Sequence, residues 1–346
     1  MKTDVTEKDI ELIYKSINFD FRKLENKSIL ITGASGHLGT YFVSLMLYIK
    51  STHKLNIAVT CTSSGQLSGI LRRKLNEFQF IQGDLTDPVF VSNLQRQDAI
   101  IHLAGHAQPK IFLQDPEKTI KINTQATFQL LDRLTPGGNL LFMSSSEIYT
   151  GSEKVNPNEG DCGFINSDHP RAPYVDSKKL GEVICINSKR YSDSKIVIAR
   201  LGMTFGPQIK GNDTRAVSEF FRQGVQEKII TLLDKGLAKR RYLYVADAVK
   251  GLFNIAFLGE NGIYNVGATE KNELSIYEIA KMIAIETGSQ LFLPSGNENV
   301  LNARDSATID VSKYENQFGK PDSIDVHAGI IRTLEWIKDE NIYLAT

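Results

Sequence analysis

Apolar positions along the chain recur with two different periods. Between residues 5 and 24, Val5, Ile10, Ile13, Ile17 and Leu24 fall at roughly helical spacing, which predicts an amphipathic leader helix packed on the rest of the chain. Ser28–Thr32 is a short apolar run ending in a glycine-rich turn and reads as a buried strand. Beyond the turn, Leu38–Ile49 predicts a helix. Further strands are expected at Ile57–Cys61, Phe78–Ile81, Ala99–Ala104, Asn139–Ser144 and Ile196–Arg200, with helices at 119–134 and 174–191 between them. Strands alternating with helices imply an α/β protein, its parallel sheet covered by helices on both faces. After Pro207 the pattern loosens, with helices predicted at 214–227, 245–258 and 275–287 among glycine and polar loops.

Composition narrows the partners. Lys+Arg and Asp+Glu are equal at 40 each, so there is no electrostatic footprint for nucleic acid or acidic lipid. Asp4, Glu7, Asp9 and Glu11 make the N-terminus unlike a signal peptide, and no run approaches the ~20 apolar residues of a membrane span. Cys61, Cys162 and Cys185 are too few and too scattered for a disulfide framework or a zinc site. None of the histidines has metal-ligand spacing: His37 lies in the glycine turn, His102 at a strand end and His106 beyond it, while His53, His169 and His327 read as loop or surface residues. The expectation is a metal-free cytoplasmic protein with reduced thiols.

Gly33-Ala-Ser-Gly36-His-Leu-Gly39 joins the first strand to the first helix. Glycines there permit a tight turn, close approach of backbone to a pyrophosphate, and close helix–strand packing, while the helix N-terminus favours the anion. The spacing is Gly-x-x-Gly-x-x-Gly, and its place between strand and helix is what makes it informative. The acidic residue that usually ends the second strand and grips the ribose hydroxyls is missing from Val59-Thr-Cys-Thr-Ser-Ser-Gly65. Arg72 and Arg73, some distance on, read as solvated helix residues, so NAD and NADP both stay open.

Tyr174-Val-Asp-Ser-Lys178 sets a phenol and an ammonium four residues apart on one helix face. A nearby ammonium stabilises a phenolate and is expected to lower the tyrosine pKa, letting it take a proton from a sugar hydroxyl. Alone this spacing would read as a surface pair. Upstream, however, Met143-Ser-Ser-Ser-Glu-Ile-Tyr149 ends a predicted strand, where parallel sheets present ligand-binding residues, and a serine there can bridge the reacting oxygen and the phenol.

With glycine turn, serine strand end and Tyr/Lys helix in this order, the chain resembles an extended short-chain dehydrogenase/reductase of the nucleotide-sugar epimerase, dehydratase and decarboxylase group, from about Lys27 to about Ile285. The resemblance implies a Rossmann-like doubly wound parallel sheet with a smaller C-terminal α/β substrate-binding region. Its expected divisions are a leader over 1–26, a dinucleotide-binding domain over 27–205 and a substrate region over 206–346, with part of 240–268 returning to the first domain. It implies cofactor contacts, NAD by resemblance, from Gly33, Ser35, Gly36, His37, Leu38 and Gly39. Others are implied at Asp84, Leu85, Leu103, Ala104, Gly105 and Asn123, together with Tyr174 and Lys178. Ser145 takes the place of the catalytic serine, with Ser146 and Glu147 beside it; Arg171, Met203, Arg215 and Arg240 fall at substrate positions, Arg240 on the diphosphate.

Family members share hydride removal at sugar C4, giving a bound 4-keto intermediate. The pair Ser146-Glu147 resembles UDP-glucuronate decarboxylases, where dehydratases carry Asp-Glu and epimerases a small or neutral residue. The stretches 115–123, 156–174 and 213–220 resemble decarboxylases as well. Met203 departs from the usual asparagine, Thr150 and Ala126 from usual glycines, so the sugar or diphosphate grip must differ. Decarboxylation of a UDP-glucuronate-like substrate is favoured, with 4,6-dehydration or epimerisation close behind. An NADPH-dependent ketosugar reductase is kept open by the missing acid, whereas intact Ser145, Tyr174 and Lys178 argue against a non-catalytic dinucleotide sensor. Helices 119–134 and 174–191 occupy family dimer positions, so a homodimer is expected.

Overall fold

The computed structural model describes residues 4–188, 193–294 and 306–343. Seven strands form one wholly parallel sheet: β1 Ser28–Thr32, β2 Ala58–Ser63, β3 Gln79–Gln82, β4 Gln97–His102, β5 Leu134–Ser145, β6 Lys195–Leu201 and β7 Gly262–Val266. Their spatial order is β3-β2-β1-β4-β5-β6-β7, so the chain reverses direction across the sheet between β1 and β4. At such a switch point the carboxyl ends of the strands open a ligand crevice. Thr32 pairs with His102 there, and the His102 Nδ1 lies 2.8 Å from the Thr32 hydroxyl.

The apolar runs are continuous because both faces of the sheet are covered. Alternate residues feed different cores. Ile29, Ile31, Ile101 and Leu141 enter one, with helices α1 Val5–Ser16, α2 His37–His53 and α8 Val245–Phe257. Leu30, Ile100, Leu140 and Phe142 enter the other, with α5 Gln125–Leu131 and α6 Ala172–Asn187. Between these lie α3 Pro109–Gln114 and α4 Pro116–Asn123, and α7 Ala216–Gln226 precedes α8 in the chain.

Three boundaries differ from the sequence pattern. The leader is not one helix over 5–24: α1 stops at Ser16 because Ile17 is extended, and Asp20 caps a separate turn at Phe21–Leu24. The predicted helix over 119–134 is two helices broken at Thr124 (φ −118°, ψ −72°), whose hydroxyl donates to the Ile120 carbonyl. α6 starts two residues before Tyr174 and ends at Asn187; positions 189–191 of its expected span lie outside the described residues.

Beyond β6 the chain builds small ladders. Lys239–Arg241 pairs with Glu273–Ser275 and Ser306–Ala307, and Ile229–Thr231 pairs with Gln290–Phe292. The helices expected at 245–258 and 275–287 appear as α8 and as α9 Ile276–Thr287, while α10 Val326–Asp339 adds a helix that was not among those expected. Asp9 ties the leader down: its buried carboxylate accepts from Tyr41 (2.8 Å), Tyr244 (2.6 Å) and Arg332 (2.5 Å).

Candidate active site

Four loops meet at the crevice. The first is the glycine turn. Gly33 has φ +71°, and a Cβ there would stand 2.8 Å from the Ala104 backbone; one on Gly39 would stand 2.1 Å from the Gly33 carbonyl oxygen. These two glycines are therefore required by packing. Gly36 has one near neighbour, the Gly33 oxygen at 3.1 Å, which leaves its outer side open to a ligand. Ser35, His37 and Leu38 complete the turn. Burial pushes the His37 ring down to about 3, against the opposing pull of the Pro207 backbone, so it is neutral.

The second and third loops come after β3 and β4. Asp84, next to buried Leu85, pairs with Lys118 at 2.6 Å and accepts from Thr86. Leu103, Ala104 and Gly105 leave β4; a Cβ on Gly105 would lie 3.3 Å from the Lys178 Nζ and 3.7 Å from the Asn123 Oδ1. Asn123 donates to the Ser177 hydroxyl at 2.9 Å, while its own buried oxygen has no partner. His102, its pKa pushed down to about 3 by burial, stays a neutral bridge between β1 and β4.

The fourth loop carries the reactive groups. Ser145 ends β5, accepts from the Glu147 amide at 3.2 Å and shares a hydrogen bond with the Tyr174 phenol. Tyr174 lies in the first turn of α6, and its ring stacks on Phe112 (4.9 Å, 11°). One turn on, buried Lys178 donates to the Met143 carbonyl at 2.7 Å, with its Nζ 6.0 Å from the Tyr174 ring centroid. Their spacing alone predicts that the ammonium lowers the tyrosine pKa. Burial acts the other way and pushes Tyr174 up to about 12, against the Ser145 hydrogen bond. Burial also brings Lys178 down to about 7, opposed by the Glu182 carboxylate. The neutral phenol and the easily discharged amine are thus set by desolvation.

Ser146 opens the short helix Ser146–Tyr149, and Glu147 pairs with Arg171 at 2.9 Å; each side chain of the pair is about one-third exposed. The charges of Glu147, Arg215 and Arg171 all act on the Tyr174 phenol, Glu147 raising its pKa and the two arginines lowering it. Arg215 is held by buried Asp213 at 2.6 Å, and its charge is felt by both His37 and the Tyr174 phenol. The Met203 side chain is exposed and its carbonyl accepts from the Leu243 amide. Arg240 sits on the strand Lys239–Arg241 and donates to the Lys239 carbonyl at 2.7 Å. Arg73, beyond the second strand, pairs with Asp4 and Glu340.

Sequence reasoning missed Phe112, which no periodic pattern marks. It also missed Glu182, although that residue sits four positions from Lys178 on the same helix face. Among the described residues, no group of three His, Cys, Asp or Glu side chains is placed to hold a metal. No described helix is long and apolar enough to cross a membrane. Cys61, Cys162 and Cys185 are all free.

A nicotinamide dinucleotide fits the crevice on three observations: the open side of Gly36, the glycine-only approach at Gly105, and the unpartnered Asn123 oxygen beside Lys178. Comparison with known proteins agrees. The model of the NAD dependent epimerase/dehydratase family matches residues 29–267. UDP-glucuronic acid decarboxylase 1 of Danio rerio is 28% identical over 333 residues, covering 94% of this chain and 76% of its own. An epimerase from Methanothermobacter thermautotrophicus superposes with a TM-score of 0.79 at 20% identity, over 96% of this chain and 98% of its own. MoeE5 in complex with UDP-glucuronic acid and NAD gives 0.74 at 19% identity, over 90% and 99%.

Proposed function

Because the chain belongs to the NAD-dependent epimerase/dehydratase family, we propose that it oxidises the sugar of a nucleotide-sugar at C4 and decarboxylates a UDP-glucuronate-like substrate. The observation that carries this reading is the Glu147–Arg171 ion pair, whose charges act on the Tyr174 phenol bonded to Ser145.

A nicotinamide dinucleotide bound along the glycine turn would accept the C4 hydride and return it, leaving the overall reaction redox-neutral. The chain's own groups do the rest. Ser145 and Tyr174 hold the C4 hydroxyl between two hydrogen-bonding oxygens, and Tyr174, acting as the phenolate, takes its proton as the C4–H bond breaks. The positive charge of Lys178 stabilises that phenolate before it accepts the proton. In the resulting 4-keto sugar the C5–C6 bond lies next to the carbonyl. Its electron pair moves into the enolate as CO₂ leaves, and a proton then adds at C5. Arg171 fixes Glu147 by a charge-assisted bond, so the carboxylate meets the sugar ring in one orientation. Arg215, locked by Asp213 and felt electrostatically by both His37 and the phenol, is suited to the diphosphate.

The decarboxylase relative supports this choice of reaction, as does Ser146 standing where a dehydratase would need an acid to expel water. Dehydration or epimerisation is the alternative, since Glu147 could equally remove a C5 proton from the ketone. The test is purified protein with UDP-glucuronate, dTDP-glucose and UDP-glucose, products read by mass and NMR. Release of CO₂ from UDP-glucuronate, reduced about 10²–10⁴-fold by Tyr174→Phe, is the expected result. Loss of water, or an isomer of unchanged mass, would replace decarboxylation with the alternative.

A further inference from the structure

The adenosine end of the crevice lacks the acid that normally grips both ribose hydroxyls. Where that acid would stand, β2 ends in Ser63, and Val59 to Gln66 contains no Asp or Glu. The Ser63 hydroxyl lies 2.5 Å from the Ser35 hydroxyl of the glycine turn and accepts from the Gly65 amide at 3.2 Å. Beside them is a small open space. A Cβ on Gly65 would meet, outside its own chain neighbours, only the Ser35 Oγ at 3.3 Å and the Lys210 Nζ at 3.8 Å. Lys210 reaches this point from the loop after Pro207 and forms no ion pair among the described residues. The one carboxylate close to it in sequence, Asp213, is taken by Arg215.

This is the reverse of a site that selects for a free 2′-hydroxyl. A carboxylate at the end of β2 accepts from both ribose hydroxyls and repels a 2′-phosphate, which carries about −1.5 to −2 charges near neutral pH. Two hydroxyls and an unpaired ammonium have the opposite preference, because hydroxyls donate to phosphate oxygens and lysine binds phosphate as a point charge. We propose that Ser35, Ser63 and Lys210 form a 2′-phosphate cradle, so that this chain binds NADP(H) at least as well as NAD(H). The proposal rests on the reading that the glycine turn holds a dinucleotide, and is independent of which sugar is turned over.

Dissociation constants for NAD⁺, NADP⁺ and the fragment 2′,5′-ADP, measured by calorimetry on protein stripped of bound nucleotide, test it without any turnover. The wild type is expected to bind NADP⁺ as tightly as NAD⁺ or more tightly, and to bind 2′,5′-ADP in preference to 5′-ADP. Lys210→Ala should shift the NADP⁺/NAD⁺ ratio about tenfold towards NAD⁺, and Ser63→Asp further in the same direction. Arg73→Ala, whose guanidinium is spent on Asp4 and Glu340, should leave the ratio where it is. Weaker binding of NADP⁺ than NAD⁺ by the wild type, or a ratio unmoved by Lys210→Ala, would overturn the proposal. Binding of neither dinucleotide would overturn the cofactor reading with it, while CO₂ release from UDP-glucuronate would still report separately on the sugar chemistry.

Discussion

Glu182 and Arg200 meet between α6 and β6 with Nη2 and Oε2 2.7 Å apart, each side chain 6% exposed. The carboxylate also accepts from the Ser144 hydroxyl at 2.5 Å, directly before Ser145. The guanidinium donates to the Tyr149 hydroxyl (2.9 Å) and to the Glu159 and Asp161 carbonyls. One buried pair therefore ties together the helix bearing Lys178, the strand bearing Ser145 and the loop beyond that strand.

Breaking that pair from either side leaves a buried charge uncompensated, which costs about 3–5 kcal/mol. Arg200→Met is expected to cost more than Glu182→Gln, because it also strips the two backbone carbonyls of their donor. Glu182→Gln has a second consequence: it removes the carboxylate that pulls the Lys178 pKa upward, so the amine discharges at lower pH. Urea titrations should give the stability order, and the pH profile of turnover should lose its alkaline side earlier in the glutamine variant. Equal costs for the two variants would sink the account of Arg200 as a backbone anchor.

The parts of this arrangement that spacing fixes are legible in the sequence. Tyr174 and Lys178 share a helix face at four residues, and Ser145 ends an apolar strand, so their meeting follows from periodicity. What spacing does not carry is desolvation. The direction of the Tyr174 shift depends on how much chain covers the phenol, and the stacked Phe112 comes from a short segment without period. The leader and the helix over 119–134 are overextended in the sequence pattern for a related reason. Ile17 and Thr124 leave helical geometry where tertiary contacts bend the chain, although the apolar spacing runs on through them. In α10, by contrast, Val326, Ile330, Leu334 and Ile337 form a helical stripe that sequence reasoning passed over.

Two neutral histidines make the fold sensitive to acid. The folded-state pKa values of His37 and His102, both pushed down to about 3 by burial, lie below the unfolded value of 6.5. Between pH 6.5 and 3 the unfolded chain thus binds protons that the folded chain does not, and stability falls as pH falls. Going from neutrality to pH 5, each ring accounts for about 2 kcal/mol. Asp9 and Asp247, whose carboxyls burial raises, act in the opposite direction in the acid range. The rings are separable from them by substitution. In urea titrations at pH 7 and pH 5, His102→Gln should show a smaller loss than the wild type by about one ring's share. An unchanged loss would mean that His102 is protonated without opening the fold.

The outer face of α6 bears on assembly. Leu180, Val183 and Ile186 are each about half exposed, and α4 and α5 add exposed Ile120 and Phe128. Large apolar side chains exposed together on adjoining helices are a mark of an interaction surface. A second copy of the chain would cover it with a self-complementary helix pair, as a two-fold interface requires. The opposite face of α6 carries Tyr174 and Lys178, so pairing would hold the helix that presents them. Light scattering is expected to give twice the 38.6 kDa chain mass for the wild type and a single chain mass for Leu180→Asp with Val183→Asp. If pairing steadies Tyr174, the monomeric variant should lose kcat more than it raises KM, because the proposed substrate contacts at Arg171 and Arg215 lie off this helix face. A wild type of single-chain mass would leave the apolar face for some other partner and remove the link between assembly and turnover.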